Sequence, residues 1–592
     1  YVLGRMYHYG KITKAQYDEA MKAPITPKIT PSTTGCASSI APYFCQYVYD
    51  TVKSDAAFGA SSDDRLKALQ KGGLKIYTTL DARLQEAADK TMSTYAPATV
   101  NSPTWKYGST IVNIQNSTGR LLSIAQNTKF GTPTAADPGQ SQIIYAGDRQ
   151  RGGSGGFAPG STFKIFTILD WLEQGHSLNE RLNGNIRVIK RLTNSCTGDW
   201  VNTSGAKVGN FGNERGYYGT PLQFTAQSLN SGFFAMAEKL DMCDIGKDAA
   251  KLGVSNADGS AVDMRYQTSI IGNTQAVSPI AMGGAFAAVA NAGIYCQPKV
   301  IDRVTDSNGK DLPIPKTTCQ QQVQPNVAAT AAYDLQGVMH GSGTAARANP
   351  YDGTPTMGKT GTNEATQTWL IQASTAVTSV VWSGVADGLT LSSGGPNKAA
   401  DVFRTRSSSW MALSDIRYYM SRDIQRVADQ YYPGSAFPAP DPNLNRQVLV
   451  NLPNVVGMPQ DQATQTLQDA GFDVQVGPAV AGTQPAGTIA QQNPGPGQIA
   501  GGTTVTISPS DGKGITIPDV TGQSPQEAAA ALRGAGFSNL SAKCTQQAGA
   551  GGKVTGTSPA ANTIASPDTA ITIQYAADQC GGGGGGGGGG KP

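Results

Sequence analysis

Residues 153–175 read GSGGFAPGSTFKIFTILDWLEQG. A glycine-rich approach ends at Pro159-Gly160, and the chain then changes character. Phe163, Ile165, Phe166, Leu169 and Leu172 supply apolar positions around much of residues 161–174. That pattern predicts a buried helix, with Gly175 as a suitable stop. Ser161 stands at the predicted N-terminus, where free N–H groups stabilise an oxyanion. Lys164 follows at i+3, on the same face. An ammonium rooted in an apolar helix loses solvation, so its neutral form is favoured. A neutral amine beside a hydroxyl is a base beside a nucleophile. The competing reading of Ser161 is an ordinary N-cap serine. S-x-x-K also recurs by chance, at Ser204/Lys207, Ser307/Lys310 and Ser510/Lys513. Those three sit in glycine-rich stretches, and only Ser161 opens an apolar helix.

Two short strings downstream strengthen the functional reading. Ser228-Leu229-Asn230 begins 64 residues after Lys164, and Lys359-Thr360-Gly361-Thr362 begins 129 residues after Asn230. The second string precedes strand-like residues 368–371 and 378–382. In a strand Lys359 and Gly361 face one way, Thr360 and Thr362 the other. A glycine at 361 lets a substrate backbone approach closely. With S-x-x-K, S-x-N and K-T-G in this order and spacing, the chain resembles the penicillin-binding proteins and serine β-lactamases. The flanks fit as well: residues 153–161 before the serine, Thr220-Pro221-Leu222 before Ser228, and Ser278-Pro279-Ile280-Ala281-Met282 later.

Composition sets the frame for the rest. The chain has 592 residues, 15% of them charged, and a formal net charge of +4, so bulk charge gives no reason to expect a nucleic-acid partner. Eight cysteines at 36, 45, 196, 243, 296, 319, 544 and 580 include no C-x-x-C pair, and the three histidines are far apart, which argues against a metal site. Widely spaced cysteines in even number favour disulfides and an oxidising compartment. Sequential pairing is the simplest arrangement, though the sequence leaves other pairings open. The most apolar stretch, residues 276–295, holds Pro279, Asn291 and three glycines and predicts a core helix rather than a membrane span.

Residues 1–25 predict two short helices, the first ended by Gly10 and the second opened by the capping box Thr13-Lys14-Ala15-Gln16. Residues 81–91 predict another helix. Residues 110–115 and 121–125 predict a hairpin. Four prolines in residues 433–445 predict an extended, poorly packed linker. After it, Pro453, Val455, Gly457, Ala463, Leu467 and Phe472 recur at a constant offset of 65 as Pro518, Val520, Gly522, Ala528, Leu532 and Phe537. Each repeat predicts one helix and two or three strands. Ser524 caps the second helix in a capping box, whereas Met458 is read at the cap position of the first. The repeats resemble PASTA modules. Residues 1–25 resemble the last helices of the glycosyltransferase domain of class A, bifunctional penicillin-binding proteins, of actinobacterial type.

The resemblance implies a multidomain α+β chain. Residues 1–25 are the transferase remnant and 26–107 a linker or pedestal. Residues 108–425 are a transpeptidase domain, an antiparallel sheet flanked by helices. A Pro-rich linker spans 426–450, PASTA modules 451–509 and 515–576, and a disordered glycine-rich tail 577–592. It also implies the roles. Ser161 attacks the penultimate D-Ala carbonyl of a stem peptide and Lys164 takes its proton. Ser228 protonates the departing D-Ala, with Lys359 tuning that hydroxyl. Asn230 bonds Lys164 or the donor amide. Thr360, Gly361 and Thr362 bind substrate. No metal or organic cofactor is implied. Partners are peptidoglycan stem peptides and β-lactams, with muropeptides as candidates at the repeats, and no nucleic acid. The implied location is the outer face of the bacterial membrane and its wall, anchored by an upstream segment. Rival functions are a D,D-carboxypeptidase or β-lactamase-type hydrolase, and a non-catalytic wall-binding protein.

Overall fold

Near Gly108 the sequence turns to β-branched residues, and there the sheet begins. A computed structural model describes residues 1–26, 35–71, 73–100, 106–134, 137, 139–387, 402–407 and 410–580. Five strands form one sheet: β1 (Lys106–Gln115), β2 (Leu121–Gln126), β3 (Met357–Asn363), β4 (Gln367–Ala373) and β5 (Val377–Asp387). Their order is β3-β4-β5-β1-β2, every neighbour antiparallel, so the Lys359 strand lies at an edge.

The helices that enclose the sheet or build on it include α1 (Ala82–Tyr95), α2 (Lys164–Glu173), α3 (Pro221–Gln227), α4 (Asn230–Ala237), α5 (Pro279–Ala290), α6 (Pro325–Gln336) and α7 (Ile416–Tyr431). Strand alternation splits the core in two. Ile111, Ala125, Val381 and Val385 face Ala88 and Met92 of α1 and Ile416, Met420 and Ile424 of α7. Val112, Ile114, Val380 and Trp382 face the opposite way, into a larger core with α2, α4, α5 and α6. Both faces being covered, β1 and β2 are buried almost end to end. The predicted core helix is α5, capped by Ser278. It presses hard on the sheet: a Cβ at Gly283 would stand 2.6 Å from Val380 Cγ2 and 2.8 Å from Ile114 Cδ1.

The multidomain α+β architecture is as expected; several details differ. The helix read over 81–91 runs on to Tyr95, with Asp81 as its cap. Within the stretch read as linker or pedestal, Tyr43, Phe44, Tyr47 and Val52 belong to the larger core. Helix α7 continues to Tyr431, past residue 425. The proline-rich stretch lacks regular structure, yet it is fastened to the domain. Leu444 is buried in the main core, and its carbonyl accepts from the Leu178 N–H at 2.8 Å. Thr330 Oγ1 meets the Asp441 N–H at 2.9 Å. Apolar and turn residues spaced between the prolines give it these anchors.

The two N-terminal helices, Val2–His8 and Lys14–Lys22, form as expected, the second with its Thr13/Gln16 capping box. All four disulfides follow sequential pairing: 36–45, 196–243, 296–319 and 544–580. Among the described residues no helix is long and apolar enough to cross a membrane.

Each repeat has one helix and five strands, more than expected, because short strands at either end also pair. In the first, Leu449–Leu452 pairs with Gly497–Ala500, and Thr504–Pro509 lies between Asp473–Val476 and Ile489–Asn493. The second repeats this arrangement with Ile515–Thr516, Ile564–Ala565 and a three-stranded sheet centred on Ile571–Ala577. Ser524 forms its capping box with Glu527. The cap of the first helix is Pro459, not Met458, since the offset of 65 maps 524 to 459; it offers no side-chain acceptor. The glycine run 581–590 lies outside the described residues.

Candidate active site

The segment carrying Ser161 is tighter than expected. Gly160–Phe163 forms a 3₁₀ turn, and the α-helix α2 begins at Lys164. The Lys164 N–H donates to the Ser161 carbonyl. With three residues per turn, side chains at i and i+3 eclipse, so the turn sets Ser161 over Lys164 more directly than an α-helix would. Gly160 permits the turn, at φ 52°. A Cβ there would stand 2.4 Å from Thr362 O and 2.8 Å from Thr362 N, so the serine turn rests on the peptide of Thr362. Gly361 has a similar reason to be glycine. A Cβ would lie 2.4 Å from Pro159 O, so the protein's own serine turn already claims that space.

The second string forms an elbow. The Thr220/Gln223 capping box opens α3, and Ser228 ends it in the left-handed region at φ 55° before α4 starts at Asn230. A non-glycine residue held there costs about 1–3 kcal/mol, a strain typical of functional sites. The elbow brings Ser228 to two lysines. Lys359 Nζ donates to Ser228 Oγ at 2.7 Å, and Lys164 Nζ lies 3.4 Å from the same oxygen. Lys164 also donates to Ser228 O and to Asn230 Oδ1, both at 2.7 Å. Those two bonds use both hydrogens of a neutral amine and leave its lone pair for a hydroxyl proton. Asn230 Nδ2 donates to Gly209 O at 3.1 Å, which fixes the amide.

Both lysines are fully buried. Burial, and then the charge of Lys359, hold Lys164 well below its ordinary value. Burial and the neighbouring Arg417 push Lys359 down to about 7, against the opposing pull of Asp334. A cavity of about 590 Å³ opens over the site, lined by Ser161, Ser228, Asn230, Thr360 and Thr362. A larger cavity of about 780 Å³, lined by Tyr47, Arg149, Asp258 and Lys316 among others, contains none of the motif residues.

Three residues in this layer escaped sequence reading. Arg417 of α7 donates to Gly361 O at 2.5 Å and to Thr362 Oγ1 at 3.2 Å. Thr344 shares a 2.8 Å hydrogen bond with Thr360 Oγ1. Asp334 of α6 is buried beside Lys359. None lies in a motif; each reaches the site from a separate element.

Residues 109–383 match the family model of the penicillin binding protein transpeptidase domain, and residues 450–511 and 515–577 each match the PASTA domain. The chain carries a penicillin-binding protein transpeptidase domain followed by two PASTA domains. It is similar to penicillin-binding protein 1A of Clostridium botulinum, 24% identical over 407 residues, 65% of this chain and 45% of that protein. It is also similar to a probable serine/threonine-protein kinase of Streptomyces coelicolor, 36% identical over 130 residues, 21% of this chain and 19% of the kinase. The chain therefore spans less than half the length of either relative. Among solved structures, penicillin-binding protein 1A from Haemophilus influenzae shares the fold, with a TM-score of 0.53 at 14% identity over 76% of this chain and 78% of that one. Among the described residues no cluster of His, Cys, Asp or Glu is arranged to hold a metal ion.

Proposed function

We propose that this chain is a serine D,D-transpeptidase that cross-links peptidoglycan stem peptides. The observation that carries the reading is the Ser228 hydroxyl, held between Lys359 at 2.7 Å and Lys164 at 3.4 Å under the cavity that Ser161 lines. Ser161 Oγ attacks the carbonyl of the penultimate D-Ala, and Lys164 Nζ accepts the hydroxyl proton. Backbone N–H groups of Ser161 and Thr362 stabilise the oxyanion; the crowding of Gly160 on the Thr362 peptide supports that pairing. The tetrahedral intermediate collapses with cleavage of the D-Ala–D-Ala bond. Ser228 passes a proton to the departing amine and is replenished from the lysines. An amine of a neighbouring stem then attacks the acyl-enzyme and releases Ser161.

Thr360 and Thr362 hold the terminal carboxylate, with Arg417 behind them as the balancing cation. Because β3 is an edge strand, the donor peptide adds alongside it. A β-lactam acylates Ser161 in the same way and stays attached. The resemblance of residues 1–25 supports a class A, bifunctional context, and the four disulfides support a place outside the cytoplasm. The PASTA domains serve as a spacer through the wall or a weak wall contact, because they expose few of the aromatic anchors that tight binding uses.

The test is incubation with a penicillin and mass spectrometry of the peptide containing Ser161. The wild-type peptide gains one penicilloyl mass, and Ser161→Ala abolishes labelling while the protein stays folded. Undiminished labelling of that variant refutes the assignment. Lys164→Ala slows acylation by about 10²–10⁴-fold, the scale of a lost general base. Rapid turnover of the penicilloyl adduct would instead make the protein a hydrolase.

A further inference from the structure

Tyr418 stands in the first turn of α7, with its ring buried among Val338, Met339, Ala345, Ala348 and Leu370. Two guanidinium groups meet it. Arg347 lies 3.7 Å from the ring centroid, and Asp415 holds that arginine at 2.6 Å. Arg417 Nη2 donates to Tyr418 Oη at 2.9 Å. Neighbouring side chains on a helix point about 100° apart, so this bond is not a mere consequence of adjacency. The other arm of the fork is fixed on the sheet. Arg417 Nη1 donates to Gly361 O at 2.5 Å, Thr362 Oγ1 at 3.2 Å and Trp369 O at 3.4 Å. Bonds on both arms set the plane of a guanidinium. The ring braces the second threonine of the strand as well. Thr360 bonds Thr344, and the next residue, Ala345, packs in the cluster around Tyr418. Thr360, Thr362, Arg417 and Tyr418 all line the cavity that holds Ser161.

The two arginines differ in the acceptor they are given. Arg347 is paired with a carboxylate, whereas among the described residues the hydrogen bonds of Arg417 all end on carbonyl or hydroxyl oxygens. A buried cation without an anion is costly, and a fold keeps one where an anion is to arrive. A carboxylate at position 418 would fix the guanidinium and cancel its charge. A phenol fixes it and carries no full charge in the neutral range. Burial opposes ionisation of the phenol, while Arg417 and Arg347 together hold it below its ordinary value, as expected of two cations around one ring. We propose that Tyr418 is the positioning residue of the carboxylate subsite: it holds Arg417 against Thr362 without neutralising it, so that the groove selects donors ending in a free carboxylate.

The inference rests on the transpeptidase reading, and one experiment separates the two. Acylation is timed at neutral pH for the full chain and for Tyr418→Phe, which keeps the ring and removes only the oxygen. The probes are benzylpenicillin and its methyl ester, which lacks the free carboxylate. If the wild type is not acylated by benzylpenicillin, the functional reading falls and this inference with it. If it is acylated, Tyr418→Phe slows benzylpenicillin about tenfold, the scale of one lost charge-assisted hydrogen bond, and leaves the rate with the ester unchanged. Equal slowing with both probes, the mark of a merely structural tyrosine, overturns the inference alone, and so does no slowing with either. On an Arg417→Ala background Tyr418→Phe adds no further loss, because its effect runs through that arginine; an additive loss overturns the assignment. This second comparison decides by itself where the ester reacts too slowly to time. Loss of the fold in Tyr418→Phe would make Tyr418 a folding residue and overturn the assignment equally.

Discussion

At the scale of single residues, the site is a balance of charges set by position. Lys359 stands between Arg417, which disfavours its proton, and Asp334, which favours it. The sign of the Arg417 contribution yields a prediction. Arg417→Ala removes a nearby positive charge, so Lys359 keeps its proton to higher pH, and the alkaline limb of β-lactam acylation moves up. The same change orphans Gly361 O and loosens Thr362, so acylation below the limb slows by about tenfold, the cost of a lost charge-assisted hydrogen bond. A pH titration of acylation rates checks both effects; a limb that stays put removes Arg417 from the charge balance. Ser161, Lys164, Ser228, Asn230 and Lys359 were legible in the sequence because each belongs to a short string whose spacing has a chemical meaning. Arg417, Thr344 and Asp334 were not. They meet the strings only after the chain has folded, and a lone Arg or Asp in a helix reads as solvated surface until its burial is known.

At the scale of elements, end chemistry was the most legible signal. Thr13 and Ser524, read as caps, do cap the helices they precede, because a side-chain oxygen there satisfies an otherwise free N–H; Thr220 and Ser278, quoted only as flanks of the motifs, cap theirs as well. The two repeats turn this into a controlled comparison. Ser524 and Glu527 cap one helix, while Pro459 leaves the other uncapped although Gln462 already stands at its third position. Pro459→Ser therefore completes a capping box and stabilises the first repeat by about 1 kcal/mol, and Ser524→Ala destabilises the second by about the same amount. Urea unfolding of each variant measures this; equal midpoints before and after would show that tertiary packing alone holds these helices. The 3₁₀ turn at Gly160–Phe163 was not legible. Its tightness comes from the backbones of Thr362 and Gly272 pressing on Gly160, contacts made across the fold. A neighbouring contact, Pro159 O at 2.4 Å from where a Cβ of Gly361 would stand, explains why the serine turn requires glycine there.

At the scale of the whole molecule, the four cross-links follow the simplest of the pairings the sequence left open, but proline content misled. The residues from 433 to 445 follow the domain surface, with Phe437 against the core and Leu444 inside it. Burying a leucine contributes about 2 kcal/mol, so a chain ending after Tyr432 melts roughly 5 °C below one ending after Arg446. Identical melting by calorimetry would return this stretch to the status of a passive spacer. The first repeat then makes contacts of its own: Arg181 pairs with Asp473, and Tyr218 donates to Asp469 at 3.1 Å. A segment anchored along its length and followed by such contacts has no slack. The first repeat consequently holds a fixed bearing from the Ser161 cavity, like a bracket rather than a leash. A ligand held by the first repeat would therefore be met at one set distance from Ser161. Adding residues between Arg446 and Leu449 would change that bearing, whereas lengthening the glycine run beyond Cys580 would not.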